Sequence, residues 1–451
     1  MEIIPILFIV MVCAALLLGY PVAFTLAGGS LLFAFIASWF GYFDIGLLKT
    51  IPIRIFGIMN NQTLLAVPLF IFMGVVLEKS GIAAQMLSDF AKAFARLKNG
   101  LAISIVVVGA LLAASTGIVG ATVVTMGLMS LPVMLKQGYP VKFSTGLIAA
   151  TGTLGQIIPP SIALVLLGDV MSNAYQKAQN NMGIFSQETV SVGDLFVGAI
   201  VPGALIGIGF LVYVLLMRDG KAATNSNEQS EIDWLGSLLM PISLILLVLG
   251  SIISGVATPT EAAGMGALGA LLIAAFRKKI NLMIAKEVSY KTALITSMIF
   301  AILIGASIFS LIFRGLGGDE LMEAIFELLP GGMFGALFFV MFFIFLLGFI
   351  LDFIEICYVF IPLVAPPLLM LGMDPVWLSI LFAIILQTSF LTPPFGFSLF
   401  YLRGVAPTEV KTKDIYAGVL PFIGIQLLVL VLVLIMPWLV LSGLQPCIIF
   451  F

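Results

Sequence analysis

One stretch of the chain reads Gly152-Thr153-Leu154-Gly155-Gln156-Ile157-Ile158-Pro159-Pro160-Ser161, and it interrupts a hydrophobic run long enough to span a bilayer. A second run is interrupted in the same way by Gln387-Thr388-Ser389-Phe390-Leu391-Thr392-Pro393-Pro394-Phe395-Gly396. Proline removes a backbone donor and clashes with the preceding helical turn, so each Pro-Pro pair frees carbonyl groups that lipid cannot satisfy. Matched interruptions in two halves of a membrane protein are typical of a transporter's ion and substrate site.

The composition indicates that this chain folds in a lipid bilayer and not in water. Of its 451 residues, 61% are hydrophobic and only 9% are charged, and the mean hydropathy is +1.23. This is far more apolar surface than a soluble core can bury, so we predict a polytopic helical membrane protein. The chain contains no histidine, which removes the usual metal ligand and the commonest proton relay. The three cysteines, Cys13, Cys357 and Cys447, have neither metal spacing nor a disulfide pattern, so we expect them to be packing residues.

Hydrophobic runs divide the chain into two kinds of segment. Runs that are long enough to cross about 30 Å of hydrocarbon predict full membrane spans. These runs lie near 3–19, 21–41, 62–80, 144–170, 195–217, 235–253, 257–276, 292–313, 376–401 and 416–441. Two pairs of shorter runs, 100–114 with 121–135 and 333–350 with 356–371, flank polar turns. A helix over 100–114 would reach only about 22 Å at 1.5 Å per residue. We therefore expect each pair to form a re-entrant hairpin.

The order of span, amphipathic connector, hairpin and broken span occurs twice, at 62–170 and 292–401. Four anchors of the first copy recur 234 residues later: Pro132, Gly138, Pro159 and Pro160 correspond to Pro366, Gly372, Pro393 and Pro394. Three predicted spans separate the copies, so the second enters the membrane from the opposite side, as in an inverted repeat. We expect N-terminal scaffold helices at 1–61, linking scaffold helices at 171–291 and a C-terminal helix at 402–451, in an all-α fold.

The basic residues indicate the orientation. If the polar loop 172–194 lies outside, alternate crossings place every lysine and arginine in the cytoplasm except Lys49, Arg54, Lys177 and Arg314. Such a bias follows the positive-inside rule. The connectors 81–98 and 317–330 have apolar residues at helical spacing and are predicted to be helices, either lying in the membrane interface or simply on the surface.

The acidic residues near the predicted spans fall into two groups. Asp169, Asp194 and Asp374 are placed at span ends, where we expect water to solvate them. Glu261 follows Pro259 at a predicted helix start, so we expect it to accept hydrogen bonds from free amides. Two further carboxylates, Asp352 and Glu355, occupy the turn of the second hairpin and are expected to face the second broken span. An acid at that depth is a candidate for ion or substrate chemistry.

The four repeat-related turns and breaks supply oxygens and backbone amides. Hydroxyl groups and carbonyls exposed beside glycine suit a hard cation, and sodium fits them better than a proton does. The predicted sodium residues are Ser115, Thr116, Gly117, Gly152, Gly155, Gln387, Thr388 and Thr392. Half-helix amino ends suit a carboxylate substrate, for which the candidates are Gly120, Thr122, Pro160, Asp352, Glu355 and Pro394. Each small residue has the alternative role of allowing close helix packing.

Four motifs of this chain resemble one family of membrane proteins: Leu112-Ala-Ala-Ser-Thr-Gly-Ile-Val-Gly-Ala-Thr122, Gly152-Thr-Leu-Gly-Gln-Ile-Ile-Pro-Pro-Ser161, Ala257-Thr-Pro-Thr-Glu-Ala-Ala263 and Leu391-Thr-Pro-Pro-Phe-Gly396. They are similar to motifs of the large (DctM-type) membrane subunit of tripartite ATP-independent periplasmic (TRAP) transporters. Many members carry a Ser-Gly-Ser-Ser-like first tip where this chain has Ser115-Thr116-Gly117-Ile118.

The resemblance implies a sodium-driven importer of organic acids in the bacterial inner membrane. It also implies two partners, a small four-helix membrane subunit and a periplasmic substrate-binding protein, and an elevator movement of the hairpins and broken helices against a scaffold. No cofactor is implied beyond the coupling sodium ions. A small carboxylate, such as a 2-oxo acid or a C4-dicarboxylate, is the expected substrate.

The chain's own features agree with such a division of labour. Its largest predicted outer loop, 172–194, is too short to fold as a ligand-binding domain, and no Gly-x-x-x-x-Gly-Lys-[Ser/Thr] phosphate loop occurs. Two alternatives remain at this stage. One is an intramembrane enzyme, which the lack of histidine and of a His-Glu-x-x-His motif disfavours. The other is a sodium/dicarboxylate symporter of the same inverted-hairpin architecture that acts alone.

Overall fold

The computed structural model describes residues 3–117, 119–217 and 238–443, without the side chains of 113–116. Helices account for all regular structure in these ranges, and no strand occurs among them. The all-α prediction is therefore confirmed. In chain order the first ten helices are α1 (Ile3–Leu17), α2 (Val22–Trp39), α3 (Ile51–Met59), α4 (Ala66–Lys79), α5 (Ile82–Ala93), α6 (Gly100–Thr116), α7 (Val119–Lys136), α8 (Val141–Thr153), α9 (Ile162–Asn181) and α10 (Val192–Leu216).

The remaining eleven helices lie in the described range 238–443. They are α11 (Met240–Ile253), α12 (Pro259–Phe276), α13 (Leu282–Gly315), α14 (Gly318–Leu328), α15 (Gly332–Leu347), α16 (Phe353–Glu355), α17 (Ile361–Met370), α18 (Pro375–Leu391), α19 (Phe397–Val405), α20 (Thr412–Ile435) and α21 (Trp438–Leu441). A π-helical turn, Ile356–Phe360, joins α16 to α17, and 3₁₀ turns lie at Ile45–Thr50 and Leu154–Gln156.

Seven helices in the described ranges are long and apolar enough to cross a bilayer, or up to nine if each of two bent pairs is one span. This confirms a polytopic membrane protein, although several predicted bounds were wrong. Helix α1 contains only 15 residues, and α11 contains 14, while residues 235–237 of its predicted run lie outside the described residues. In contrast, α13 is one continuous helix of 34 residues that begins well before the predicted span, and α9 continues to Asn181 through part of the predicted polar loop. Polar residues on these two helices ended the hydropathy signal without ending the helix.

The two predicted hairpins and connectors are present as helices. Helix α6 packs against α7, and α15 packs against α17. Each connector helix, α5 and α14, begins after a glycine in the left-handed conformation, Gly81 (φ 72°) and Gly317 (φ 84°). Helices α4 and α5 meet at 61°, and α14 and α15 meet at 119°. A side chain at these left-handed positions would strain the backbone, so glycine fits the turns that lead into the connectors.

The start of α12 confirms the role predicted for Glu261. Thr258 is the N-cap, and its hydroxyl accepts a hydrogen bond from the Glu261 amide while the Glu261 carboxylate accepts one from the Thr258 amide at 2.8 Å. Pro259 occupies the first turn, where its missing N–H leaves no intrahelical bond unmade. The acid therefore completes a capping box at the positive end of the helix.

The chain forms two compact units. Unit 1 contains residues 1–65, 166–191 and 293–375, and unit 2 contains 66–165, 192–292 and 376–451. In unit 1, Phe8 stacks on Phe309 with ring centroids 5.1 Å apart, and α2 and α13 approach so closely that a Cβ on Gly305 would lie 2.5 Å from the Ala23 carbonyl oxygen. Unit 1 also contains the second hairpin.

Unit 2 contains the first hairpin and both helix breaks. Its helices α8 and α20 pack backbone to backbone, since a Cβ on Gly146 would lie 2.0 Å from the Gly418 oxygen and a Cβ on Gly418 would lie 2.0 Å from the Lys142 oxygen. Without a water-driven hydrophobic effect in lipid, such close approach gives helices their van der Waals attraction. The helices that surround the candidate site are thus held by small residues.

Ion pairs in unit 2 join residues that the sequence places on the cytoplasmic side. Lys291 contacts Glu78 at 2.8 Å, and Lys79 contacts Glu287 at 3.1 Å. The two pairs connect the end of α4 to the beginning of α13. All four side chains are partly exposed, so each pair contributes at most about 1 kcal/mol to folding. Their proximity agrees with the predicted orientation.

Candidate functional site

The first break separates α8 from α9. Helix α8 tightens into the 3₁₀ turn Leu154–Gln156, and the cis peptide between Pro159 and Pro160 precedes α9. The buried hydroxyl of Ser161 donates to the Gly155 carbonyl at 2.6 Å and lies 3.3 Å from the Gln156 carbonyl. Ser161 therefore supplies a hydrogen bond to carbonyl groups that the prolines leave without a backbone donor, a role that its position in the sequence does not reveal.

The second break separates α18 from α19 and has the same features. Its Pro393-Pro394 bond is also cis. Here Ser398 donates to the Phe390 carbonyl at 2.9 Å, and the Tyr416 hydroxyl donates to the Pro394 carbonyl at 2.8 Å. Neither residue was predicted, because Ser398 does not align with Ser161 in the repeat and Tyr416 lies on α20, outside both copies. A hydroxyl group nevertheless satisfies a freed carbonyl at each break.

Two predicted sodium residues at the second break use their hydroxyl protons within the helix. Thr388 donates to the Ile384 carbonyl at 2.8 Å, and Thr392 donates to the Thr388 carbonyl at 2.7 Å. A hydroxyl that donates keeps two lone pairs for other ligands. Both threonines therefore remain available as oxygen ligands.

The tip of the first hairpin lies against the first break. Gly117 has φ +60°, and a Cβ on it would lie 2.8 Å from the Ile162 amide nitrogen, at the start of α9. Only glycine fits both the backbone conformation and this approach. The side chains of Ser115 and Thr116 and the whole of Ile118 lie outside the described residues. The sodium role predicted for Ser115 and Thr116 stays a prediction.

Several candidates have contacts that explain their residue type by packing. A Cβ on Gly152 would lie 2.2 Å from Val123 on α7, and one on Gly120 would lie 2.8 Å from the Tyr401 ring on α19. The buried Thr122 lines a small crevice, together with Glu78, Ala83, Leu112, Ala121 and Thr125. The first hairpin thus packs on α8 and also on the second half of the other copy's broken helix.

The two breaks begin close to each other. Gln387, fully buried on α18, donates from its amide nitrogen to the hydroxyl of Thr153 at the end of α8, at 3.4 Å. Unit 2 therefore brings together the first hairpin tip, both breaks and most of the predicted residues: Gly117, Gly120, Thr122, Gly152, Gly155, Pro160, Gln387, Thr388, Thr392 and Pro394. This arrangement concentrates neutral oxygen ligands and helix ends in one unit.

Asp352 and Glu355 belong to unit 1, where they form a capping box at the start of α16. The Asp352 carboxylate accepts from the Phe353 amide at 2.8 Å, and Glu355 accepts from the Asp352 amide at 2.9 Å. These bonds give both acids a structural task at the hairpin turn. Their predicted contact with ion or substrate stays a prediction.

Asp169 corrects one expectation. It does not lie at a solvated span end, because α9 continues past it and two side chains of unit 1 bind its carboxylate. Asn61 donates to one oxygen at 2.6 Å and the Tyr358 hydroxyl donates to the other at 3.3 Å. Tyr358 lies in the π-helical turn of the second hairpin. This hairpin therefore contacts the second half of the first copy's broken helix, as the first hairpin contacts α19.

Comparison with known proteins decides the family. Residues 9–439 match the model of the "Tripartite ATP-independent periplasmic transporter, DctM component". The chain belongs to the DctM family. It is therefore the large permease subunit of a TRAP secondary transporter, a multi-pass protein of the bacterial inner membrane and not an enzyme.

Curated relatives of this DctM-family chain include three transporter permeases. The C4-dicarboxylate TRAP transporter large permease DctM of Vibrio cholerae is 28% identical, over 96% of this chain and 95% of the relative. The ectoine TRAP transporter large permease TeaC of Halomonas elongata is 27% identical, over 94% of each chain. The isethionate TRAP transporter permease DctMQ of Oleidesulfovibrio alaskensis is 28% identical, over 88% of this chain and 64% of the relative.

A solved structure supports the fold of the DctM-family chain. The Alcanivorax borkumensis YdaH transporter, described as having an unusual topology, superposes with a TM-score of 0.59 over 87% of this chain and 89% of that one. The sequence identity is 16%, so the likeness concerns the fold alone. It agrees with an all-helical transporter architecture with broken helices.

Proposed function

We propose that this permease imports small organic acids, carboxylates such as 2-oxo acids or C4-dicarboxylates, together with sodium ions. The observation that carries the proposal is the assembly, within one compact unit, of the first hairpin tip and two breaks rich in neutral oxygens. Sodium is a hard cation that such oxygens coordinate. The absence of histidine from the whole chain leaves the commonest proton relay out.

The substrate class is supported by the chemistry of the breaks and by the names of the relatives. Helices that restart after a break offer backbone amides and the positive end of a dipole to an anion. The relatives are named for C4-dicarboxylates, ectoine and isethionate, small organic compounds that carry an acid group. A small organic acid is the class that these features share.

The partners follow from the tripartite family. We propose that a small four-helix membrane subunit and a periplasmic substrate-binding protein complete the transporter. In the described ranges between residues 3 and 443, no helical or loop segment is large enough to form a substrate-capture domain. For the transport step we propose an elevator movement of the hairpins and broken helices, which the packing of the first hairpin with both breaks in unit 2 supports.

The proposal is tested by reconstituting the complete three-component system in proteoliposomes. An inward sodium gradient at constant pH should drive uptake of one or more members of a panel of 2-oxo acids, C4-dicarboxylates, sulfonates and ectoine. Equal uptake from a proton gradient in the absence of sodium would contradict sodium coupling. The permease reconstituted alone serves as the second arm, and robust saturable uptake by it would contradict the need for partners.

A further inference from the structure

Four polar side chains form a buried cluster in unit 2, which we call the glutamine cluster: Thr153, Gln156, Gln387 and Gln426. Their exposed fractions are 0%, 2%, 0% and 0%. They come from four helical segments, since Thr153 ends α8, Gln156 lies on the 3₁₀ turn that follows, and Gln387 and Gln426 lie on α18 and α20. Side chains at i and i+3 of a 3₁₀ turn lie one above the other, so we expect Gln156, three residues after Thr153, on the same face of this turn.

The Thr153 hydroxyl fixes the orientation of two amides. It donates to the Ala150 carbonyl at 2.8 Å, so its lone pairs can only accept. The amide nitrogens of Gln426 and Gln387 fill this role at 3.2 and 3.4 Å. Rotating either amide would place an oxygen against an oxygen with no proton between them. Both glutamines must therefore turn their carbonyl oxygens away from Thr153.

Those oxygens have no partner. The Oε1 atoms of Gln156, Gln387 and Gln426 are buried and accept no hydrogen bond. A buried acceptor without a partner loses its hydrogen bond to water and gains none, and native proteins rarely keep such groups together. Three of them within one cluster indicate a bound species that supplies positive charge or protons.

The bound species is either a water molecule or a cation, and the number of acceptor oxygens distinguishes the two. One water molecule carries two protons and can satisfy two of the three oxygens. A cation attracts all three, and the carboxyl end of α8 beside them adds negative dipole. Neutral carbonyl oxygens replace the hydration shell of a monovalent cation in the same way in channel filters. A divalent ion would prefer carboxylates, and the cluster has none.

We infer that the glutamine cluster binds a sodium ion through the side-chain oxygens of Gln156, Gln387 and Gln426. This site includes Gln426 on α20, outside both repeats and outside the residues expected at the breaks and hairpin tips. The inference rests on the proposed function only in the choice of sodium as the probe. It makes Gln426 a ligand whose loss weakens sodium binding without touching either Pro-Pro break.

The test measures thermal unfolding of the purified full chain against sodium chloride, with choline chloride keeping the ionic strength constant. A ligand that binds only the folded state raises the melting temperature with its concentration. Gln426→Met removes the oxygen at nearly constant volume and should raise the half-saturating sodium concentration at least tenfold. Gln426→Glu places a carboxylate on the cation and should lower it at pH 8.

A buried glutamine of unit 1 provides the control. Gln179 is 2% exposed, but its amide donates to the Glu188 carbonyl and accepts from the Glu188 amide, both at 2.8 Å. Gln179→Met should lower the melting temperature equally at all sodium concentrations. The same result for Gln426→Met, or equal destabilisation of Gln426→Glu with and without sodium, would overturn the inference and leave a structural or water-filled cluster.

The outcomes also separate this inference from the proposed function. Sodium-driven uptake by the complete transporter, combined with an unchanged sodium midpoint in Gln426→Met, would refute the cluster site alone. A shifted midpoint in Gln426→Met, combined with uptake that ignores sodium, would support the cluster site and refute sodium coupling.

Discussion

Thr153 and Gln387 occupy the same position in the two repeats, 234 residues apart, and their side chains are hydrogen-bonded to each other. The end of α8 therefore lies beside α18 within unit 2. Because each helix breaks shortly after this contact, unit 2 contains the freed backbone of both breaks, the kind of backbone that binds coupling ions in transporters with broken helices.

The hairpin tip gives the first prediction. Gly117→Ala should destabilise the chain by more than the roughly 1–3 kcal/mol of a left-handed alanine, because its Cβ would also press on the Ile162 amide at 2.8 Å. Gly138 is the matched control, with φ +81° and no atom within 4 Å of a Cβ. Gly138→Ala should therefore show the backbone strain alone. Equal losses of melting temperature in the two variants would mean that the tip does not contact α9.

The second prediction concerns the contact between α7 and α19. Gly120→Ala should lower the melting temperature, because the added methyl group would lie 2.8 Å from the Tyr401 ring. The double variant Gly120→Ala with Tyr401→Ala should recover much of this loss relative to Tyr401→Ala alone. Gly404 on α19 is a control, since a Cβ there meets nothing within 4 Å, and Gly404→Ala should be neutral or stabilising. Absence of rescue would place the strain elsewhere.

The sequence predicted those parts of the fold that local chemistry determines. The breaks follow from Pro-Pro pairs in apolar runs, and the capping role of Glu261 follows from its three-residue spacing from Thr258. Helix length was less predictable, because Lys286, Glu287 and Lys291 ended the apolar run although α13 continues through them. Hydropathy reports the solvent around a residue and not the backbone conformation.

The site was predictable in its location but not in its partners. Asp169 was assigned to water because its hydrogen-bond donor Asn61 lies 108 residues away in the chain, which no local pattern reveals. Ser398 and Tyr416 were missed for the same reason, since each is recognised only by the carbonyl that it reaches in space. A small residue such as Gly152 suits an exposed carbonyl and a tight helix contact equally well, and only the structure shows its approach to Val123.

The third prediction tests the orientation in the membrane. With Cys13, Cys357 and Cys447 replaced by serine, Glu320→Cys on α14 should react with an impermeant maleimide added from the periplasmic side. Glu287→Cys on α13 should react only after the membrane is permeabilised, because the lysine-rich side faces the cytoplasm. Lys177, predicted outside, binds Asp319 of the same helix as Glu320 at 2.8 Å, which agrees with this arrangement. The reverse labelling pattern would invert the topology.

The fourth prediction compares two glycines on α20. Gly418→Ala should cost several kcal/mol or abolish folding, because its Cβ would lie 2.0 Å from the Lys142 carbonyl oxygen and backbone cannot rotate away as a side chain can. Gly424→Ala, with nothing within 4 Å of its Cβ, should stabilise the helix by about 0.5–1 kcal/mol. Thermal unfolding of the purified variants gives both values. Tolerance of Gly418→Ala would contradict the close packing of α8 and α20.

The last prediction separates ion binding from packing at the second break. Thr392→Val removes one oxygen at nearly constant volume, and losing a ligand to a charged group costs on the order of 1.5–3 kcal/mol, or about ten- to a hundredfold in apparent sodium affinity. Thr392→Ser should retain much of that affinity, because the serine hydroxyl can still donate to the Thr388 carbonyl and present its lone pairs. Sodium-dependent uptake by the complete transporter and sodium-dependent melting of the purified chain provide the two measurements.

Thr145 is the matched control for Thr392. Its hydroxyl also donates to the carbonyl four residues earlier, Val141, at 2.9 Å, but it is fully buried on α8, two turns before the first break. Thr145→Val should therefore change the melting temperature without changing the sodium midpoint. If Thr392→Val instead behaves like Thr145→Val, losing thermal stability while keeping its normal sodium response, the Thr392 hydroxyl is a packing element and sodium does not bind to it at the second break.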